Sequence, residues 1–131
     1  MKEHIDNLIE IRSIAPFSEN ERRKITRITF DEFQPHYVEI INNIPQGAQL
    51  GNHYHKTKQE LMYISKGEFY AQFEHVKTHR NLECSLQEGQ IFLIPCYIAH
   101  KYISQAEENE IIAFSSHPQE EIKNDVFEWN F

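Results

Sequence analysis

Hydrophobic and polar residues alternate along the chain in short runs that are rich in β-branched and aromatic side chains. These runs predict strands at residues 27–30, 36–44, 60–65, 68–76, 82–86, 91–95, 99–104 and 110–116. Turn-forming residues separate the runs, for example at Lys66-Gly67 and Glu88-Gly89. Residues 1–11 and the stretch after Pro118 are the two places that could be helical. Many short strands at close spacing predict an all-β sandwich or barrel.

Length, charge and cysteine content narrow the range of functions. A chain of 131 residues suits one domain with a hydrophobic core. The net charge of −7 argues against nucleic acid as a partner. Residues 1–10 lack the pattern of a secretory signal, and no apolar run approaches transmembrane length, so we expect no membrane partner. Cys84 and Cys96 have no framework spacing, and we therefore predict a cytoplasmic protein.

Two histidines and a glutamate form the strongest chemical signal in the chain. His53 and His55 are two residues apart, so a strand would point both to one side, and Glu60 begins the next predicted strand. Two imidazoles and a carboxylate suit a divalent transition metal and leave coordination positions open. His100, which follows the apolar run 91–95, is the candidate for a further ligand. The alternative is that these are unrelated polar residues in a surface loop.

These residues resemble the two motifs of the cupin superfamily. The first motif, G-x5-H-x-H-x4-E-x6-G, is matched by Gly47, His53, His55, Glu60 and Gly67. The second, G-x5-P-x-G-x2-H-x3-N, is matched by Gly89, Pro95 and His100, with Tyr97 in place of the second glycine and Ser104 in place of asparagine. The first of these departures predicts an altered turn before His100.

The resemblance implies a fold and a metal centre. It implies that residues 1–131 form a single cupin domain with a motif core at 47–104. The fold would be a double-stranded β-helix, or jelly-roll barrel, of two packed antiparallel sheets. It further implies that His53, His55, Glu60 and His100 hold one divalent transition metal, which could be zinc, manganese, nickel or iron.

A narrower similarity points to a class of substrate. Residues 51–60, GNHYHKTKQE, are similar to the histidine-rich strand of cupins that act on nucleotide-linked keto sugars. That group includes the 4-keto-sugar 3,4-ketoisomerases and the cupin half of capsule-precursor reductase/epimerases. Residues 20–28 resemble an upstream segment of the same proteins, with Arg22 at its arginine. The similarity implies an isomerase or epimerase in bacterial surface polysaccharide synthesis, with a nucleotide sugar as its small-molecule partner.

Five further residues are candidates for roles in such a site. Tyr102 has the strand parity of His100 and is predicted to be the catalytic proton donor. Tyr70 and Gln72 share a parity on another strand and could line the pocket. Arg22 and Arg27 could hold a diphosphate, because guanidinium groups make two-pronged contacts with phosphate. For each, the alternative is a barrel-filling residue or an ordinary surface charge.

The sequence also allows two other functions, one enzymatic and one without catalysis. Iron in a cupin site of this kind can activate oxygen, which would give a metal-dependent dioxygenase. Alternatively, the pocket could bind or sense a small molecule without catalysis. We also predict a homodimer that uses residues 8–14 or 27–30, because small barrels leave edge strands that proteins usually cover.

Overall fold

The computed structural model describes residues 8–131, and almost all of its regular structure is extended. In chain order the strands are β1 (Ile11–Ser13), β2 (Ser18–Glu19), β3 (Lys24–Ile25), β4 (Tyr37–Ile44), β5 (Gln49–Tyr54), β6 (Glu60–Lys66), β7 (Glu68–His75), β8 (Asn81–Gln87), β9 (Gln90–Ile94), β10 (Ile98–Ser104), β11 (Asn109–Ser115) and β12 (Phe127–Glu128). A 3₁₀ turn at Gln119–Glu121 lies between β11 and β12.

The strands form two five-stranded antiparallel sheets. Their orders are β1-β9-β6-β11-β4 and β12-β5-β10-β7-β8, and β2 and β3 form a separate pair. The chain alternates between the two sheets from β4 to β7, and again from β8 to β11, as in a jelly roll. Phe73 on β7 meets Phe92 on β9 at 5.8 Å between ring centroids, so the sheets pack face to face. The predicted all-β fold of two packed antiparallel sheets is confirmed.

Seven of the eight predicted strands lie within one residue of observed strands at both ends. The exception is 27–30, which makes no ladder; the nearby strand is β3, paired with β2. This segment is held by side-chain contacts instead, since the Phe30 ring meets Phe114 edge-on at 4.9 Å. The stretch after Pro118 forms the 3₁₀ turn and the short strand β12 in place of the possible α-helix. Most of the other possible helix, residues 1–11, lies outside the described residues.

The core continues directly into a polar cluster along the same strand faces. Inward residues of β6 run from Ile64 through Met62 to Glu60, and all three are buried. On β10 the inward residues run from Tyr102 to His100, and both are again buried. Since side chains on one face of a strand recur every two residues, the apolar core and the polar cluster share one interior. The barrel therefore positions polar side chains at one end of its core.

No helix in the described part of the chain, residues 8–131, is long and apolar enough to cross a membrane.

Candidate functional site

Three histidines converge at the polar end of the interior. His53 is on β5, His100 is opposite it on β10, and His55 follows β5 directly. Each of the three offers a ring nitrogen, and these nitrogens all lie within 4.8 Å of one another. The His53 and His100 rings are 4.7 Å apart between centroids, and His53 and His55 are 5.0 Å apart. The predicted approach of these three side chains is observed.

A β-bulge in β5 turns His53 into the interior. His100 pairs with His53 and Lys101 pairs with Gly51, so Asn52 has no partner in the ladder. Both Gly51, with φ of 92°, and Asn52, with φ of 62°, adopt left-handed backbone conformations. The extra residue shifts the strand's alternation, and Leu50 and His53 both line one cavity although they are three residues apart. The bulge is therefore part of the construction of the site.

Backbone carbonyls fix the protonation of two of the imidazoles. His55 contacts the Asp125 carbonyl oxygen through Nδ1 at 2.6 Å, and His100 contacts the Ile98 carbonyl oxygen through Nδ1 at 3.2 Å. Because a carbonyl can only accept, each Nδ1 carries the hydrogen, and the neutral ring of His100 has its lone pair on Nε2. Within residues 8–131, the Nε2 atom of His55 is buried and has no hydrogen-bond partner. Such an atom is available to a metal ion or a substrate proton.

Burial keeps two of the histidines neutral. Burial lowers the pKa of His100 to about 4, against the opposing effect of the Glu60 charge. Burial and the neighbouring His55 also lower the pKa of His53. His53 is partly exposed to the cavity, whereas His55 and His100 are buried. Neutral imidazoles are the form that ligates metals or accepts protons.

Glu60 lies beside the histidine cluster but is engaged by a lysine. Its Oε1 is 3.4 Å from His55 Nε2, and its Oε2 is 3.3 Å from Lys58 Nζ. Burial alone would raise the pKa of Glu60, yet contact with His55 and the charge of Lys58 lower it to about 2. Lys58 Nζ also lies 3.4 Å from the hydroxyl oxygen of Tyr37. Glu60 is thus an ionised carboxylate, and it is not a member of the set within 4.8 Å.

Asp125, in the C-terminal segment, holds the loop between β5 and β6. Its Oδ1 accepts from the backbone N–H of Lys56 at 2.8 Å, and its Oδ2 accepts from that of Lys58 at 2.8 Å. The N–H of Thr57 lies 3.1 Å from both oxygens. A single carboxylate therefore fixes three successive amides, while the carbonyl of the same residue orients His55. Asp125 is a positioning residue for the cluster.

The cluster opens into a cavity of about 400 Å³. Its walls combine apolar, charged and aromatic side chains, and the lining residues include Tyr37, Glu39, Ile41, Leu50, Met62, Tyr102, Ile111, Ile122 and Lys123 besides the cluster itself. Tyr102 is only 3% exposed, and its hydroxyl has no partner among the described residues. Burial and the Glu60 charge raise the pKa of Tyr102 well above its ordinary value. A larger groove of about 540 Å³ lies elsewhere, near Asn42 and Glu108, and contains none of the cluster residues.

Four predicted binding residues lie away from this cavity. Tyr70 and Gln72 alternate with Phe69, Ala71 and Phe73, which are fully buried, so both point to the outer face of β7. The predicted pocket-lining positions of Tyr70 and Gln72 are therefore corrected by strand alternation, and the Tyr70 hydroxyl instead donates to Glu83 at 2.5 Å.

The two arginines are surface residues in the described chain. Both Arg22 and Arg27 are exposed, and neither is among the residues that line the cavity. The guanidinium of Arg27 lies 4.0 Å from the centroid of the Phe17 ring. Contact of Arg22 and Arg27 with a diphosphate therefore stays a prediction.

The two departures from the second motif have local explanations. Tyr97 has φ of 66°, so it adopts the left-handed conformation that glycine takes most readily. Its N–H donates to the His55 carbonyl at 2.7 Å, which ties the turn before His100 to β5. Ser104 accepts from the Ala48 N–H at 2.9 Å and contacts the Pro45 carbonyl. The predicted change in the turn is therefore not seen in the φ angle of this position. Tyr97 adopts the left-handed conformation that a glycine would adopt there.

Sequence reasoning missed three residues that build the site. Lys58 lies inside the first motif, and its position two residues before Glu60 was a signal for proximity. Gly51 could have been noticed as a glycine inside a strand, which often marks a bulge. Asp125 had no local signal, because its partners are nearly seventy residues away along the chain.

Comparison with known proteins agrees with the geometry. The family model described as Cupin matches residues 17–130, which is most of the chain. The chain belongs to the cupin family. A search of curated proteins found no significant match.

Solved structures similar to this cupin include several enzymes of nucleotide sugars. The QdtA sugar 3,4-ketoisomerase from Thermoanaerobacterium thermosaccharolyticum, in complex with TDP, is 13% identical; the match covers 92% of this chain and 87% of that chain, with a TM-score of 0.76. The WlaRB TDP-quinovose 3,4-ketoisomerase from Campylobacter jejuni is 11% identical, with 92% of each chain covered and a TM-score of 0.77.

A third similar structure belongs to a different reaction class. The dTDP-4-dehydrorhamnose 3,5-epimerase from Bacillus anthracis, with TDP and PPi bound, is 12% identical. The match covers 90% of this cupin and 76% of that chain, with a TM-score of 0.73. At these identities the likeness shows a shared fold, and the structural neighbours are those that the narrower sequence similarity indicated.

Proposed function

We propose that this cupin is an isomerase or epimerase that acts on a nucleotide-linked keto sugar in bacterial surface polysaccharide synthesis. The observation that carries the proposal is the grouping of neutral His53, buried His100 and the protonated hydroxyl of Tyr102 around one cavity. Proton transfer next to a carbonyl needs a base and a donor, and this grouping supplies both. The fold shared with ketoisomerases and epimerases supports the same class of reaction.

The cavity suits a sugar ring. A volume of about 400 Å³ lies within the range of small-molecule sites in proteins, about 300–1,000 Å³. Leu50, Met62 and Ile111 provide apolar wall, while His53 and Lys58 provide polar groups at one end. Such a mixed lining can hold the apolar faces of a deoxy sugar and orient its carbonyl toward the histidines.

The reaction begins with the acidity of the carbon beside the keto group. In a 4-keto sugar the C3 proton is acidified by the neighbouring carbonyl, and its removal leaves an enolate that must be stabilised. In the metal-free protein we assign the base to His53, because its lowered pKa leaves a lone pair at neutral pH and it is accessible from the cavity. Tyr102 stays protonated and is the donor. Return of the proton to the opposite face of C3 gives an epimer, whereas transfer of the O3 hydroxyl proton to O4 with protonation of C4 gives the 3-keto isomer.

The site residues also fit a divalent transition metal such as zinc, manganese, nickel or iron. The buried, unpartnered Nε2 of His55 and the lone pair on Nε2 of His100 are ligand atoms of the appropriate kind. His53, His55 and His100 would hold the ion, with Glu60 as the predicted fourth ligand. When bound, the metal would polarise the substrate carbonyl. His53 would then be a ligand, and the proton would pass to another polar side chain of the cavity.

The proposal is tested by incubating the protein with TDP-4-keto-6-deoxyglucose, the ligand in a structure of a mutant of the QdtA 3,4-ketoisomerase. We expect NMR spectra to show a new keto sugar, either a 3-keto isomer or a C3 epimer. Binding of the nucleotide sugar without conversion would instead support the sensing alternative. Iron in the purified protein together with oxygen uptake, and no isomer formed, would support a dioxygenase.

A further inference from the structure

Lys58 is a buried cation at the edge of the histidine cluster. It is 9% exposed, and its Nζ lies 3.3 Å from Glu60 Oε2 and 3.4 Å from the Tyr37 hydroxyl. A buried ammonium is costly unless it is paired and hydrogen-bonded. Glu60 supplies that pairing, so the two residues form a buried ion pair inside the cavity that also contains the histidines.

Hydrogen bonds to Asp125 hold the backbone at Lys58 in place. Its N–H donates to Asp125 Oδ2 at 2.8 Å, and the preceding amide of Thr57 lies 3.1 Å from both Asp125 oxygens. The thiol of Cys96 lies 3.3 Å from the Thr57 carbonyl oxygen. Because the loop is held from two directions, the ammonium is kept at Glu60 rather than in solvent.

Glu60 divides its two oxygens between the cluster and the lysine, since Oε1 lies 3.4 Å from His55 Nε2 and Oε2 pairs with Lys58. The three imidazole nitrogens lie within 4.8 Å of one another, and Glu60 is not part of that set. A carboxylate ligand of zinc lies about 2.0–2.2 Å from the metal. Coordination through Oε1 would bring a dication close to the Lys58 ammonium that pairs with Oε2, and like charges at such distances repel.

We propose that Lys58 withholds Glu60 from the metal, so that the protein binds a divalent ion through His53, His55 and His100 alone. This inference rests on the metal centre of the proposed function and changes its ligand set from four residues to three. All three histidines line the cavity, so an ion held by them would be open to a substrate there. Removal of the Lys58 ammonium frees Glu60 to become a fourth ligand, and the affinity for the ion rises.

The test is a double-mutant cycle of wild type, Lys58→Met, Glu60→Gln and the double variant on zinc affinity, measured by competition with a chromophoric chelator at one pH. Lys58→Met removes the cation and keeps the apolar length of the side chain. Lys58→Met with Glu60→Gln removes both members of the pair and leaves the net charge of the site unchanged. Lys123→Met is the matched control, because Lys123 also lines the cavity but is exposed. Circular dichroism checks that each variant is folded.

We expect Lys58→Met to bind zinc at least about tenfold more tightly than the wild type, since a repulsive charge is lost and a ligand is gained. The zinc affinity of the double variant should lie within about threefold of that of the wild type, because Lys58 acts on the ion through its pairing with Glu60. Lys123→Met should change the affinity by less than about threefold, because an exposed charge is screened. Should Lys58→Met fail to fold, Lys58→Gln, which can still hydrogen-bond to Glu60, gives the same comparison.

The inference is overturned if Lys58→Met gains less than about threefold, or if the double variant binds more than about tenfold more weakly than the wild type. The second result would mean that Glu60 is already a ligand. Zinc binding by none of the proteins would overturn it as well. Conversion of the keto sugar by metal-free protein in that case would leave the proposed isomerase intact, so the two failures are distinguishable.

Discussion

The Nδ1 atom of His55 donates a hydrogen bond to the backbone carbonyl of Asp125, with 2.6 Å between nitrogen and oxygen. These residues are seventy positions apart, and the bond ties the C-terminal segment to the histidine cluster. It also directs His55 Nε2, which is buried and makes no hydrogen bond in the described chain, toward Glu60 Oε1 at 3.4 Å. The orientation of a candidate ligand therefore depends on a segment outside the motif core.

Replacement of the Asp125 side chain should destabilise the fold and loosen the cluster. Asp125→Ala leaves the N–H groups of residues 56–58 without their acceptor. Bonds to a charged acceptor contribute about 1.5–3 kcal/mol each when buried, and after relaxation we expect a total loss of about 3 kcal/mol. Urea denaturation measures this loss, with exposed Glu121→Ala as the control, which should change the stability by less than about 0.5 kcal/mol. Equal stability of the two variants would contradict the role of Asp125.

The bulge in β5 can be tested with two glycines that share a backbone conformation. Both Gly51 and Gly47 have positive φ, of 92° and 84°. A Cβ at Gly51 would lie 2.5 Å from the His100 carbonyl oxygen, whereas one at Gly47 would meet nothing within 4 Å. Gly47→Ala should therefore cost about 1 kcal/mol from backbone strain alone.

Gly51→Ala should cost at least about 2 kcal/mol more than Gly47→Ala, because β5 must move away from β10. It should also weaken metal binding and activity, since His53 and His100 face each other across that pair of strands. Thermal unfolding of both variants provides the comparison. A cost at Gly51 no larger than that at Gly47 would show that the close approach is not needed.

The motif residues of the site could be predicted from sequence because they depend on local spacing. Strand alternation was sufficient to place Tyr102 beside His100 on the inner face of β10. The same rule gave the wrong face for Tyr70 and Gln72, since it relates residues within a strand but does not say which face is inward. The buried Phe69 and Phe73 decide that question.

Other parts of the site depend on contacts between distant residues and could not be predicted. The parity of His53 and His55 was expected from an unbroken β5. The bulge at Asn52 decides which face of the strand His53 occupies, and this bulge depends on pairing with β10. The four-ligand metal set assumed that Glu60 is free. The contact of Glu60 with Lys58 depends on how the loop is held by Asp125, which lies far along the chain.

Tyr102→Phe tests the assignment of the proton donor. The substitution removes a buried hydroxyl that has no partner in the described structure, so stability should be unchanged or slightly higher. The rate of keto-sugar conversion should fall about 10²-fold or more, as expected when a general acid is lost. Tyr63→Phe on β6 is the control, because Tyr63 does not line the cavity, and it should leave kcat and KM unchanged. Equal rates for the two variants would remove Tyr102 from the mechanism.

A homodimer remains our prediction for the protein in solution. Exposed apolar side chains lie on the barrel surface, with Phe17 53% exposed and Ile40 62% exposed. The segments 8–14 and 27–30 are the expected contact regions, and β1 within the first forms an outer strand of its sheet. Multi-angle light scattering at micromolar concentration should report twice the chain mass. Monomer alone under those conditions would contradict this assembly.

The most direct test of the central claim is deuterium exchange into a keto sugar in heavy water, read by mass spectrometry. We predict that the wild-type protein incorporates deuterium from solvent into TDP-4-keto-6-deoxyglucose at C3, because the proposed reaction begins with proton removal beside the carbonyl. His100→Ala, which removes one member of the cluster, should slow the exchange about 10²-fold or more while the protein stays folded. No exchange above the uncatalysed rate with folded wild-type protein, with and without added divalent metal, would contradict the account.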